Sequence, residues 1–545
     1  MKKLIILPVI ALIFGSCSDF LDREPLTEPT VNIFWKTDRD ATQGVNALYT
    51  TLSGQRDFWR DCSSDNSVMT NAWGESGMGY ISQGTYNAAT GYLKEEYKYD
   101  HVNWILTCLT YLKGMDMEAG LKARLEGEAR FLLAMKYFRM ARHFGDIPLI
   151  KETPVSLEEA NLPVSPKQEV LDYALENVEF AIRNLPMKQT GDNMGRATMA
   201  AAFMLKTEIY MEMASRKKFH DNQDDPKLWE TAAKTARQLV DSATQKGYFA
   251  LADYPFIFTA AANNNNTETI FADQFVQGKR TNMLPVLASP SGTGVTGQGW
   301  ASFCPTRDLV DSYECTDGKT IYESSLYDMN NPWENRDLRL AWTFMLPGKD
   351  VLRPNGKFTP YMPHPDYMMP ERINNEGGGI TGFMYLKYNE PTNNTPSQAW
   401  INFSIYRYAE ALLFLAEALN EYDPANAQIA WAVNQIRDRA GLPSVDHLLG
   451  NQVEMRQVIR EERRHEFVAE HKRYFDILRW KIAEDVLNKD AYGINKDKDA
   501  PIGDYTKEFY LAQKRTFDPR KNYSWPIPQD ALDKNKNLKQ SEAWR

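Results

Sequence analysis

The sequence predicts a mainly helical fold: a tetratricopeptide-like repeat scaffold whose long loops and short strands form a ligand-binding surface. Two observations predict it. In the first half of the chain, amphipathic helical patterns recur at intervals of about 30 residues, the period of a stacked helix-turn-helix unit. Between residues 251 and 400 the helical period is then broken repeatedly by Asn263–Asn266 and by the stretches SGTGVTGQG, NNPWENR, RPNGKFTPYMPHP and NNEGGGITG. Such clusters of Gly, Pro and Asn mark loops.

Taken in order, the chain begins with MKKLIILPVIALIFGSC. Lys2 and Lys3 precede an apolar run from Leu4 to Phe14, and Gly15-Ser16 stands directly before Cys17. A positive start, a short apolar core and small residues at the cut make a secretory signal. A cysteine immediately after the small residues makes it a lipoprotein signal. Residues 1–16 are therefore expected to be removed, with Cys17 becoming the first mature residue and carrying lipid on its sulfur. The run is too short for a permanent span, which needs about 20 residues, and Asp19, Asp22, Arg23 and Glu24 follow at once. The expected organisation is a lipidated tether over 17–30 and a single body over 31–545. Within that body the helical scaffold lies mainly at 34–250 and 402–490, and the loop-rich insert at 251–400.

From Leu121 to Phe144, apolar residues such as Leu125, Ala129 and Leu132, or Phe131, Ala134 and Phe138, recur at spacings of three and four. This pattern predicts a helix with a buried stripe. Gly145 and Pro148 stop it. Further helices are predicted at Lys167–Asn184, Arg196–Met213 and Lys227–Gln245, and after the insert at Tyr406–Asn420, Ala425–Ala440 and Val453–Leu487.

Composition bounds the function. Of 545 residues, 43% are apolar and 25% charged, enough for a large core, and the formal net charge is −9. Nucleic acid is excluded as a partner, because binding it needs clustered Lys and Arg. The 13 Trp and 27 Tyr also suit a surface that stacks on flat ligand faces. Of the remaining cysteines, Cys62, Cys108, Cys304 and Cys315, none has zinc-ligand spacing. Cys304 and Cys315 flank a short segment, so a local disulfide and two free thiols both stay open.

Several motifs invite chemistry and fail on context. Gly292-Thr-Gly294-Val-Thr-Gly297 matches GxGxxG, but Pro290 and Gly299 flank it where a strand and a helix are required. It reads as a flexible loop presenting Trp300. In His465-Glu466-Phe-Val-Ala-Glu-His471 the histidines are six apart and do not share a helix face, so no shared metal is expected. The chain has no GxSxG elbow, and no motif isolates a glycosidase pair among its 72 acidic residues. No cofactor is called for.

The most patterned segment is VIREERRHEFVAEHKRYFDILRW at Val458–Trp480. By itself it reads as a helix pair with a charged face, carrying ion pairs such as Arg473 with Asp476. It also resembles the ER..EF..E..R.FDILRW signature of the SusD/RagB-like lipoproteins of the Bacteroidetes outer membrane. GEARFLLAMKYFRMARHFGDIPLI at Gly127–Ile150, the YRYAE and LLFLAEALN stretch from Tyr406 with VNQIRDRAGLP, and WPIPQDALDKNKNLKQ at Trp525–Gln540 are similar to three further motifs of that family, in order. The resemblance implies one helical body with four tetratricopeptide-like units. It also implies a SusC-like TonB-dependent transporter as partner, a location on the outer membrane's external face, and non-enzymatic capture of glycans as a lid on the transporter.

The ligand site is not part of those motifs and is expected from physics. A sugar offers an apolar C–H face and a rim of hydroxyls, so it wants an open aromatic ring beside polar groups. The stretch DCSSDNSVMTNAWGESGMGY supplies Asp65, Asn66, Asn71, Trp73 and Tyr80. Trp300 stands in the second Gly-rich loop, and Arg372 ends the PHPDYMMPER stretch. Capture of peptides or another nutrient by the same architecture, an anchored glycosidase and a protein-interaction scaffold are the alternatives.

Overall fold

The computed structural model describes residues 34–54, 56–70 and 77–545. The signal, the tether, Asn71 and Trp73 lie outside the described residues. Eleven helices are named here: α1 (Asp38–Leu48), α2 (Gly77–Gln83), α3 (Tyr99–Gly114), α4 (Ala119–Phe144), α5 (Lys167–Asn184), α6 (Met199–Ser215), α7 (Pro226–Lys246), α8 (Tyr408–Tyr422), α9 (Gln428–Arg439), α10 (Gln452–Glu466) and α11 (Arg473–Arg479). The fold is mainly helical with short strands, as the sequence predicts.

Local chemistry sets the ends. Thr37 and Asp40 form a capping box at the start of α1, and the Thr198 hydroxyl accepts from Ala201 N at 3.0 Å at the start of α6. Asp225 caps α7, with Pro226 in its first turn and Gly247 closing it at φ +65°. Each long helix from α3 to α9 packs on the next in chain order. They form a row of pairs, α3 with α4, α5 with α6 and α7 with α8, after which α9 and α10 both lean on α8. Residues such as Phe131, Tyr137, Trp229 and Leu412 are buried between them.

One predicted element differs. The helix expected over Val453–Leu487 is broken after Glu466. Ala469 and His471 adopt φ of +62° and +60°, which ordinary residues do only when tertiary contacts compensate. Here Asp61 Oδ2 accepts from Ala469 N at 3.1 Å, and His471 Nδ1 lies 3.3 Å from Asp57 Oδ1. The bend turns α11 back, so the charged side chains of this segment are buried and paired across the fold instead of lining a solvated face. Arg473 meets Asp65 and not Asp476; Asp476 is held by Arg463 and Arg479. Cys62, Cys108, Cys304 and Cys315 are all free, buried thiols.

The stretch 247–407 contains short elements only. At its base β2 (Thr269–Asp273) pairs antiparallel with β8 (Phe403–Arg407), so the segment leaves and rejoins the helices at one place. β1 (Ser67–Met69) pairs with β3 (Phe303–Pro305), joining the Gly-rich stretch after α1 to the insert. Two small ladders, β4 (Phe344–Met345) with β7 (Met384–Tyr385) and β5 (Asp350–Leu352) with β6 (Phe358–Pro360), complete the insert. After α11, β9 (Ala491–Asn495) and β10 (Phe509–Gln513) form a bulged ribbon.

Candidate ligand-binding surface

The segment 61–67 is the foundation of this surface. Arg473 grips Asp65 through two hydrogen bonds of 2.8 Å, and Arg464 reaches the same carboxylate at 3.0 Å. Burial opposes ionisation of Asp65, but Arg473 and Arg464 outweigh it and hold its carboxyl well below the usual carboxylate range. Asn66 Oδ1 accepts from Arg464 Nε at 3.1 Å, and Arg515 donates to Ser67 O at 2.9 Å. Asp65 and Asn66 are therefore buried and their side-chain acceptors are occupied. This corrects the expectation that they touch ligand: they anchor the strand that leads to the Gly-rich loop.

From that anchor the chain reaches Thr70, which donates its N–H to Ser302 O at 3.1 Å and its hydroxyl to Ala301 O at 2.5 Å. Thr70 is thus held to the backbone next to Trp300. Trp300 is 36% exposed. The glycine loop before it is not the flexible loop expected. Asn394, fully buried, fills its centre, donating to Thr293 O at 3.0 Å and Gln298 O at 3.1 Å and accepting from Thr296 N at 3.1 Å. Gly292, Gly294 and Gly297 take φ of +80°, +68° and +67°, and a Cβ at Gly294 would lie 2.3 Å from Asn394 Nδ2. Glycine serves here for close packing around an amide.

Two more segments join. Ser291 N donates to Gly377 O at 2.7 Å, which fixes the turn containing Arg372 against the glycine loop. Arg372 is half-buried and donates to Met369 O at 3.0 Å. Ile494 N donates to Thr381 O at 2.8 Å, bringing in β9. Tyr80, 42% exposed on α2, is set against β10 by the Ser82–Gln513 bond of 3.1 Å. Sequence reasoning missed Tyr492 and Leu511, exposed cross-strand neighbours on the ribbon. It also missed Tyr367, exposed beside His364, whose ring lies 5.9 Å from both Tyr367 and Tyr510. Tyr367 stands within the stretch already singled out for Arg372; Tyr492 carries no local signal.

The described side chains that reach solvent here are Trp300, Tyr80, Tyr367 and Tyr492, with Arg372 half-buried, on a fixed base. Carboxyls that burial pushes up lie elsewhere: Asp61, at about 6, is buried behind Asn66, and Glu314, at about 7, is tied to Arg437 at 2.9 Å. His465 and His471 have separate partners, Ser312 and Asp57. No group of three or more His, Cys, Asp or Glu among the described residues is placed to hold a metal. A cavity of about 860 Å³ lies instead between α3, the strap 148–161 and residues 528–538. Its aliphatic floor includes Val102, Leu106 and Ile150, and its tyrosines Tyr97 and Tyr99 pack on each other at 5.0 Å.

Comparison with known proteins follows the same line. A family profile described as "SusD family" matches residues 261–544, and one described as "Starch-binding associating with outer membrane" matches residues 19–211. SusD-like protein P2 of Formosa agariphila is 23% identical over 97% of this chain and 97% of its own length. A SusD-like protein of Bacteroides ovatus is 24% identical over 88% of this chain and 82% of its own length. Among solved structures, a SusD-like carbohydrate binding protein from Bacteroides fragilis superposes with a TM-score of 0.80 at 26% identity, covering 93% of this chain and all of that one. Surface glycan-binding protein A from Bacteroides thetaiotaomicron, solved in complex with laminarihexaose, shares the fold with a TM-score of 0.67 at 20% identity, over 93% of this chain and 99% of that one.

Proposed function

We propose that this chain, which belongs to the SusD family, captures oligosaccharide or polysaccharide at the cell surface. It then delivers the glycan to a partner SusC-like TonB-dependent transporter in the outer membrane, acting as the lid of that transporter and cleaving nothing. Lipid on Cys17 holds it there. The observation that carries the reading is Trp300, 36% exposed at the end of a glycine loop that Asn394 locks. A sugar meets this ring without a loop having to be ordered first, so little of the stacking energy is lost to entropy. Arg372 lies on the turn that Ser291 ties to the same glycine loop, and Tyr80, Tyr367 and Tyr492 are further exposed rings in this reading. The relatives named for carbohydrate binding support glycan over peptide as cargo.

The test is native gel electrophoresis through a panel of polysaccharides, with product release scored in parallel. At least one polysaccharide should retard the protein, with no reducing ends released. An extra stacking energy of about 0.5–1.5 kcal/mol corresponds to a roughly 2- to 12-fold affinity loss in Trp300→Ala. Affinity unchanged in a folded Trp300→Ala protein refutes the assignment of this ring, and turnover that tracks the protein through a second column refutes capture without cleavage.

A further inference from the structure

A second set of rings stands beside the β9–β10 ribbon, where Tyr505 packs on Phe509. The segment 320–335 and the connection 501–509 are clamped together. Gly503 N donates to Met329 O at 3.0 Å, and a Cβ at Gly503 would lie 2.2 Å from Tyr327 Oη and 2.9 Å from Met329 Cα. A side chain there would push the two segments apart. On this clamp Tyr505 donates its hydroxyl to Asp311 Oδ1 at 3.1 Å and accepts from Tyr327 Oη at 3.1 Å. The Arg307 guanidinium lies 4.8 Å from the Tyr505 ring centre. Tyr505 is thus fixed by its hydroxyl and by a stacked cation. Beside it, with ring centres 5.4 Å apart, stands Tyr322, which is 73% exposed. The exposed Leu326 and Met329 continue the apolar surface.

The core does not need Tyr322, since most of its surface is in water. An open ring next to a rigid one, among groups that accept hydrogen bonds, is the arrangement that receives the C–H face and hydroxyl rim of a sugar. The segments 320–335 and 501–509 supply the carboxylates Glu323, Asp328 and Asp504 against Lys507, with Arg307 already stacked on Tyr505, so the local excess of negative charge disfavours a polyanionic ligand. The ribbon links this place to the Trp300 surface. Tyr505 packs on Phe509 at 6.5 Å, and Phe509 precedes the exposed Leu511 by two residues, about 7 Å along the strand.

We propose that Tyr322, seated beside the fixed ring of Tyr505, is a second saccharide platform that holds the extension of a neutral glycan chain whose first units lie on the Trp300 surface. The inference rests on the glycan-capture reading and adds that the ligand is a chain spanning the ribbon.

The experiment is calorimetric titration of the full body with ladders of neutral malto-, laminari-, xylo- and manno-oligosaccharides, from disaccharide to long oligomer, and with polygalacturonate. Wild type, Tyr322→Ala and Trp300→Ala are compared, and each variant's thermal melt is recorded. In the series that binds, Tyr322→Ala should lose affinity in a way that grows with chain length, reaching about 3-fold or more for the longest oligomer, while Trp300→Ala loses affinity at every length. An equal loss at all lengths, no loss at any length, or tighter binding of polygalacturonate than of neutral chains overturns the platform while leaving glycan capture standing. Failure of wild type to bind any ladder removes both.

Discussion

Replacing Asp65 with alanine should cost the protein about 3–5 kcal/mol, the usual loss when one partner of a buried ion pair is removed and the other stays behind without solvent. The magnitude follows from what each arginine retains. Arg464 keeps Asp308 at 2.6 Å and Asn66 at 3.1 Å. Arg473 has both of its hydrogen bonds on Asp65, and the two side chains are each 5% exposed. The stranded guanidinium of Arg473 therefore carries most of the loss. Unfolding free energies from guanidinium titration measure it. Asp65→Ala combined with Arg473→Met removes the stranded charge as well, so the double variant should recover roughly half of the loss or more, an interaction that a double-mutant cycle isolates. The reasoning fails if Asp65→Ala lies within about 1 kcal/mol of wild type, or if the double variant is as unstable as the sum of the singles. A ligand-touching Asp65 would give the reverse pattern: lost glycan affinity at unchanged stability.

Stability should also fall in acid. Burial pulls the His471 imidazole down to about 4, against the pull of Asp57 and with the help of Arg60 and Arg142, and neighbouring His143 is lowered for the same first reason. The unfolded chain binds these protons near pH 6.5 and the folded chain does not, so their contribution is present above pH 6.5 and is lost as pH drops toward 4, by up to ~3 kcal/mol for His471. Thermal melts from pH 7 to 4 should show the decline, with a shallower slope in His471→Asn, a residue that tolerates the positive φ there; an unchanged slope would exclude this histidine. Cys17→Ala should release the body in soluble form, and retention of that variant in the outer membrane of cells lacking the transporter would rule out Cys17 as the anchor.

Helices α5 and α7 were legible because each buries one stripe. The pattern that predicts Lys167–Asn184 gives the same ends in the structure, and α7 differs from its prediction by one residue at each end. What was not legible has its partners far away in sequence. Asp65 and Asn66 look like ligand contacts because short polar residues near glycines often are, yet the arginine that settles the role of Asp65 lies 408 positions on. The break after Glu466 is likewise set by Asp57 and Asp61, not by any Gly or Pro within the helix. Glycines at 292, 294 and 297 suggest mobility until Asn394, a hundred residues later, is seen to occupy the loop they form.

The FDILRW-type signature has the same logic. Its charged residues do not face the candidate ligand surface; they are buried and tie distant segments together. Glu466 accepts from Arg407 at 3.0 Å and Arg439 at 2.5 Å and pairs with Arg339 at 3.3 Å, while Glu470 bridges Arg407 and Lys387 at 2.7 and 2.6 Å. Burial disfavours the Glu466 charge, and these cations reverse the balance, holding its carboxyl below the usual range. Such groups add little net stability compared with apolar packing, but a mispaired arrangement would leave several charges stranded at once. That penalty matters because α7 must find α8 across the whole insert. Glu268, at the entry of the insert, pairs with Arg407 at its exit and with Arg439 at 2.7 Å, next to the β2–β8 ladder. Closing a long loop costs entropy that grows only slowly with its length, so once this base is locked the segment between can vary in length and content at small thermodynamic cost. The signature therefore specifies the closure, and the rings proposed to meet glycan, Trp300 among them, stand on loops whose sequence that closure leaves free.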